Sequence, residues 1–72
     1  MAKIREIRKC IARSIRDIRI RTNLSQTELG DLLLLRQESI SRIEKGNQSL
    51  SAERLYLLSV KLKVPLDKFF IF

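Results

Sequence analysis

Residues 23–46 read NLSQTELGDLLLLRQESISRIEKG and contain two short helical patterns separated by a turn. The first pattern opens with Ser25, a typical N-cap residue, and Glu28 three residues later completes an S-x-x-E capping box. Leucines at helical spacing follow the box, so the sequence predicts a helix over residues 26–33.

The second pattern predicts a helix over residues 37–45. Ile40 and Ile43 lie on its inner side, and Gly46 suits the position that follows a helix C-terminus. Two short helices joined by a turn cannot bury both apolar faces, so flanking helices must cover them and leave one face of the second helix in solvent. That face is predicted to carry Gln37, Glu38, Ser39 and Arg42.

These exposed side chains are of the types that suit the edges of DNA bases. Arginine can bind guanine through two hydrogen bonds, glutamine can bind adenine in the same way, and serine pairs with several bases. The surrounding sequence supplies no catalytic partner for them. The alternative interpretation is an ordinary polar helix face, because such residues are common on helix surfaces.

Isoleucines at steps of three and four residues mark a long first helix before this stretch. They align along one helix face, which is the pattern of a helix packed on a core. The predicted helix runs from Lys3 to Thr22 and ends at Asn23, a residue type that tolerates the left-handed conformation of a helix C-terminal cap. The isoleucines of this face are Ile4, Ile7, Ile11, Ile15 and Ile18.

Two further helices are predicted after the central stretch. Ser51 opens a fourth helix, and Pro65 suits the first turn of a short fifth helix. The fourth helix is predicted to bury Leu55, Leu58 and Leu62. The fifth carries Leu66, Phe69 and Phe70.

The fold class follows from these elements. No strand-like alternation persists, and no repeat or linker interrupts the 72 residues. A chain of this length forms one domain. We therefore predict a compact all-α fold of five helices over residues 1–72, with an extended first helix and a helix-turn-helix at about residues 25–45.

Composition excludes several kinds of catalysis. The chain has no histidine and one cysteine, Cys10. Imidazole bases, Cys–His nucleophile pairs and cysteine zinc sites are therefore impossible. An enzyme is the least favoured interpretation, and we expect no catalytic residue, metal, cofactor or small-molecule substrate.

Excess positive charge points to a polyanionic partner. The net charge is +7, and residues 1–24 hold eight basic and two acidic side chains. Nucleic acid is the first candidate. The alternative is a protein- or membrane-surface module built on the basic amphipathic first helix, although the apolar face of that helix is purely aliphatic, as a core face would be.

Cellular location is predicted from what the sequence lacks. The longest apolar run is residues 32–35, far short of the roughly 20 residues of a transmembrane helix. No signal-like segment occurs at the N-terminus, and the single thiol suits a reducing compartment. We therefore expect a cytoplasmic protein that does not enter the membrane.

The sequence resembles the phage repressor/Cro-type (XRE-like, lambda-repressor-like) helix-turn-helix family. The resemblance lies in IRDIRIRTNLSQTELGDLLLLRQESISRIEKG at residues 15–46 and LSAERLYLLSVKLKVPLDKFF at residues 50–70. Its specific parts are Arg19, the corner at residues 23–26, Leu29, the ISRIE string at residues 40–44, and Gly46. The resemblance implies a transcriptional regulator that binds a two-fold DNA operator as a dimer, with a recognition helix in the major groove.

The resemblance also implies roles for single residues. Gln26 matches a position that holds a DNA phosphate at a helix N-terminus, and Arg19 and Glu44 match a partly buried ion pair. Gln37, Glu38 and Arg42 match positions that read base edges, whereas Ser39, Lys45 and Asn47 match backbone-contacting positions. The full predicted DNA-binding set is Gln26, Arg36, Gln37, Glu38, Ser39, Arg42, Lys45 and Asn47.

Several positions depart from the family pattern, among them Glu38, an acidic residue that would face a polyanion. Gly30 replaces a small alanine, and Leu50 stands where proline is frequent. Arg36 occupies the place of the serine or threonine that usually caps the recognition helix. Leu34 stands where the turn usually has glycine, and a branched residue with positive φ is strained. We therefore expect either another turn conformation or a longer second helix.

The C-terminus ends in an apolar cluster. Phe69 fills the last core position of the family, which leaves Phe70, Ile71 and Phe72 as a predicted dimer interface. The alternative is intramolecular, with Ile4 and Ile7 of the extended first helix covering the cluster.

Overall fold

The computed structural model describes residues 3–70, apart from the side chain of Phe70, as four α-helices and one 3₁₀ helix. The elements are α1 (Ile4–Arg21), α2 (Gln26–Leu33), α3 (Gln37–Glu44), α4 (Ala52–Leu62) and the 3₁₀ helix (Leu66–Phe70). No strand occurs among these residues. The predicted all-α fold is confirmed, with the difference that the fifth helix is a 3₁₀ helix.

Helix ends follow the predicted local chemistry. Asn23 after α1 and Gly46 after α3 both have positive φ, at 58° and 79°. At the start of α2, the Glu28 N–H donates to Ser25 Oγ at 3.0 Å and the Ser25 N–H donates to Glu28 Oε1 at 2.8 Å. The hydrogen bond from the Ser25 backbone N–H to the Glu28 carboxylate, followed by that from the Ser25 hydroxyl, holds the pKa of Glu28 below its ordinary value. The predicted capping box is confirmed.

The core lies where α1 and α4 enclose the two short helices. Helix α1 packs on α3 and on the 3₁₀ helix, and α2 packs on α3 and α4. The buried cluster consists of Ile15, Leu29, Leu33, Ile40, Ile43, Leu55, Leu58 and Phe69. Leu62, predicted in the buried face of α4, is only partly buried, and Ile4 is 76% exposed. The apolar face of α1 therefore extends one turn beyond the core that it covers.

The turn between α2 and α3 contradicts the sequence-based expectation. Leu34 adopts the left-handed conformation, with φ 59° and ψ 41°, so the turn keeps this geometry without glycine and α2 is not extended. The Leu35 N–H donates to the Gly30 carbonyl at 2.8 Å, a Schellman bond that requires a left-handed residue between them. A Cβ at Gly30 would lie 2.5 Å from the Leu35 oxygen, so glycine is needed there for close approach.

Basic side chains of α4 donate hydrogen bonds to the last carbonyl groups of α2. The Arg54 Nε–H donates to the Leu33 carbonyl at 2.9 Å, and Lys61 Nζ donates to the Leu32 carbonyl at 3.1 Å. The last turn of α2 has no basic residue of its own. The terminal carbonyls and the negative end of the helix dipole are therefore compensated from another helix.

Replacing Leu34 by glycine is expected to stabilise the fold by about 1 kcal/mol. The left-handed conformation costs a non-glycine residue about 1–2 kcal/mol, part of which is offset by the greater freedom of glycine in the unfolded chain. Leu34 is 79% exposed, so little apolar burial is lost. Urea unfolding measures the change. Leu34→Ala serves as control, and an equal gain in both variants would contradict strain as the cause.

Candidate nucleic-acid interface

Helix α3 presents a polar face to solvent. Ile40 and Ile43 are 1% and 2% exposed and fix the opposite side of the helix in the core. The exposed predicted residues are Arg36, Gln37, Glu38, Arg42, Lys45 and Asn47, whereas Ser39 is half-buried at the edge of the face. The structure therefore places the base-reading candidates on one accessible surface.

Two glutamines from different helices are joined on this surface. The Gln37 Nε2–H donates to Gln26 Oε1 at 2.6 Å, and the Gln26 Nε2–H donates to Glu44 Oε1 at 3.1 Å. The second N–H and the carbonyl oxygen of the Gln37 amide stay available for a ligand. The first residue of α3 is thus held in one orientation by the first residue of α2.

An ion pair beneath the glutamines joins α1 to α3. Arg19 Nε donates to Glu44 Oε2 at 2.6 Å and Nη2 donates to Oε1 at 3.1 Å, while Nη1 donates to the Leu24 carbonyl at 2.9 Å. The exposed fractions of the two side chains are 15% and 4%. A bidentate pair of this kind has a defined geometry. It fixes α3 relative to α1 and orients the Glu44 carboxylate toward Gln26.

The other predicted residues stand apart from this network. The side chains of Arg42 and Glu38 make no hydrogen bond or ion pair with the described part of the chain, so their charged groups remain available to a ligand. Arg36 is the N-cap of α3 and makes no capping hydrogen bond through its side chain. Lys45 and Asn47 lie just beyond the C-terminus of α3.

A family model described as helix-turn-helix matches residues 15–69. The protein belongs to the XRE-like helix-turn-helix family. As a member of the helix-turn-helix family it is a DNA-binding regulator. No curated protein matches the chain.

The helix-turn-helix match extends well beyond α2 and α3. It starts at Ile15 in the middle of α1 and ends at Phe69 in the 3₁₀ helix, both of which are buried. The first part of α1 therefore precedes the family match, although the helix continues into it without a break.

Over residues 3–70, no helix has the length and apolarity of a membrane span.

Sequence reasoning missed two residues next to the predicted set. Arg16 of α1 and Ser41 of α3 line a groove together with Gln26 and Lys45. The sequence could have indicated Arg16, because its spacing of three residues from Arg19 places both arginines on the side of α1 that meets α3. The predicted dimer residues Ile71 and Phe72, and the side chain of Phe70, lie outside the described residues.

Proposed function

We propose that the protein is a sequence-specific transcriptional regulator that inserts α3 into the major groove of a two-fold operator and binds it as a dimer. The observation that carries the proposal is the exposed polar face of α3, on which Gln26 holds the Gln37 amide in place. Such a fixed amide can make the paired hydrogen bonds by which glutamine recognises adenine.

The proposed roles of the other residues follow from charge and position. Arg42 binds guanine, and Glu38 accepts a hydrogen bond from cytosine or excludes other bases. Gln26 lies at the N-terminus of α2, where unpaired backbone N–H groups and the helix dipole favour a phosphate. The remaining backbone contacts are assigned to Arg36, Ser39, Lys45 and Asn47.

The proposed dimer follows from the size of one subunit. One subunit of this size reads a half-site, and a two-fold partner doubles the contact. We assign the interface to Phe70, Ile71 and Phe72, with the two α3 helices about 34 Å apart, one turn of the duplex. A single domain over residues 1–72 and a cytoplasmic location complete the proposal.

The alternative as a membrane-surface module gains no support from the packing of α1. Ala12 and Ile15 on its apolar face are 3% and 1% exposed, so the middle of this face is buried in the core. Binding to anionic vesicles with an affinity equal to that for duplex DNA would favour the alternative.

Arg42→Ala tests the base-reading role of α3. A duplex is first selected by the protein from a random library, and affinities are measured by fluorescence anisotropy on the selected and on a random duplex. We expect Arg42→Ala to lose about 1–3 kcal/mol on the selected duplex and to relax specificity at one base pair. Lys45→Gln is expected to weaken both duplexes alike.

Arg21→Ala serves as the matched control, because Arg21 lies exposed at the end of α1. It is expected to leave the preference for the selected duplex unchanged. An equal loss on both duplexes for Arg42→Ala would contradict base reading by this residue.

A further inference from the structure

Three cations form a row on α1, next to α3 but outside its proposed base-reading face. Lys9, Arg13 and Arg16 are all exposed. Their spacing of four and three residues places them on one side of the helix, over a length of about 10 Å. Lys9 and Arg13 precede Ile15, where the helix-turn-helix match begins. We call these three residues the α1 row.

The α1 row borders the C-terminal half of α3. Its three side chains line one groove together with Glu44 and Lys45. The Lys9 stem lies against the end of α3, since a Cβ at Gly46 would be 3.3 Å from Lys9 Cγ. The α1 row therefore lies beside the helix that enters the major groove in the proposed function.

A second groove connects the α1 row with the N-terminus of α2. Arg16 and Lys45 line both grooves, and the second also contains Gln26 and Ser41. Gln26 is the proposed phosphate ligand of α2. One continuous strip of surface thus leads from Gln26 past Arg16 to Arg13 and Lys9.

Positive charge dominates this strip. Glu44 is paired with Arg19 and is 4% exposed, so its charge is compensated. Asp17 is the remaining acidic residue that lines either groove. No side chain of the α1 row forms a salt bridge with a described residue. Like charges four residues apart on a helix repel each other, and a polyanion would relieve that repulsion.

We propose that the α1 row, with Lys45, is a second contact surface for duplex DNA, which binds phosphates beside the base pairs read by α3. The inference rests on the proposed function and extends it. Phosphate contacts position a protein and raise its affinity for any sequence. The α1 row therefore supplies affinity without base preference, and it does so from a part of α1 that lies mostly outside the family match.

The test compares two double variants that each remove two positive charges, one from a lysine and one from an arginine. Lys9→Gln/Arg13→Gln changes the α1 row. Arg21→Gln/Lys68→Gln is the matched control, because these residues are exposed and line a different groove, beside Pro65. The probe is a fluorescent random-sequence duplex of about two helical turns, titrated at salt concentrations between about 50 and 200 mM.

The α1-row variant is expected to reduce the slope of log affinity against log salt by up to about 1.8. Affinity at about 0.1 M salt then falls by as much as about 60-fold. The control is expected to change the slope by less than half as much. The charge-conserving Lys9→Arg/Arg13→Lys variant should keep the parental slope, and on a selected duplex the preference over random DNA should be unchanged.

Equal losses in the α1-row variant and the control would overturn the inference while leaving the proposed function intact. Loss of affinity in Lys9→Arg/Arg13→Lys would also overturn it, since packing and not charge would then be responsible. A parent protein that binds neither the selected nor the random duplex would instead contradict the proposed function itself.

Discussion

Arg19→Met is expected to destabilise the fold by about 3–5 kcal/mol, because it leaves the Glu44 carboxylate buried without its cation. Glu44 is 4% exposed, and its remaining side-chain hydrogen bond is the one from Gln26. The substitution also removes the donor to the Leu24 carbonyl. A domain of 72 residues has a free energy of unfolding of about 4–11 kcal/mol, so the substitution is expected to remove a large share of that stability and to lower the melting temperature.

Chemical denaturation of three variants separates the stranded charge from other effects. Arg21→Met, an exposed arginine on the same helix, is expected to change stability by less than about 0.5 kcal/mol. Arg19→Met/Glu44→Leu removes both charges and is expected to recover much of the loss. An Arg19→Met protein as stable as Arg21→Met would show that the pair is solvated and does not hold α3.

Phe69→Ala is expected to cost about 3–5 kcal/mol through lost apolar burial and the cavity that remains. Phe69 is 0% exposed and belongs to the 3₁₀ helix that packs against both α1 and α4. It is therefore the residue by which the C-terminal end of the family match is tied to the core. Thermal and urea unfolding measure the loss.

Leu66→Ala in the same 3₁₀ helix is the control for Phe69→Ala. Leu66 is 41% exposed, so its truncation removes less buried surface and is expected to cost about 1 kcal/mol. If Phe69→Ala costs no more than Leu66→Ala, the 3₁₀ helix is not part of the cooperative fold.

Local chemistry explains why much of the fold could be predicted. The Ser25–Glu28 box, Asn23 and Gly46 are decided by neighbours within a few residues, and each occurs where the sequence placed it. The period of the isoleucines predicted α1 to within one residue at either end. Ile4 belongs to the predicted apolar face but is 76% exposed, because periodicity shows which side is apolar but not how far the partner surface extends.

Long-range contacts explain what could not be predicted. Steric preference argued against a left-handed Leu34, yet the Gly30–Leu35 hydrogen bond and the cations of α4 hold that turn. Arg54 lies 21 residues from its acceptor, a separation that no local pattern shows. The hydrogen bond between Gln26 and Gln37 is also a long-range contact. The sequence predicted both glutamines as DNA-binding residues, but their contact depends on the packing of α2 on α3.

The dependence of α2 on α4 has a consequence for protein synthesis. The acceptors Leu32 and Leu33 leave the ribosome well before their donors Lys61 and Arg54. Until α4 emerges, the end of α2 has no compensating cation, and the buried faces of both short helices lack part of their cover. A chain in which α4 has not yet been synthesised therefore lacks the groups that complete the end of α2, and α2 and α3 reach their full packing only when the later part of the domain has been made.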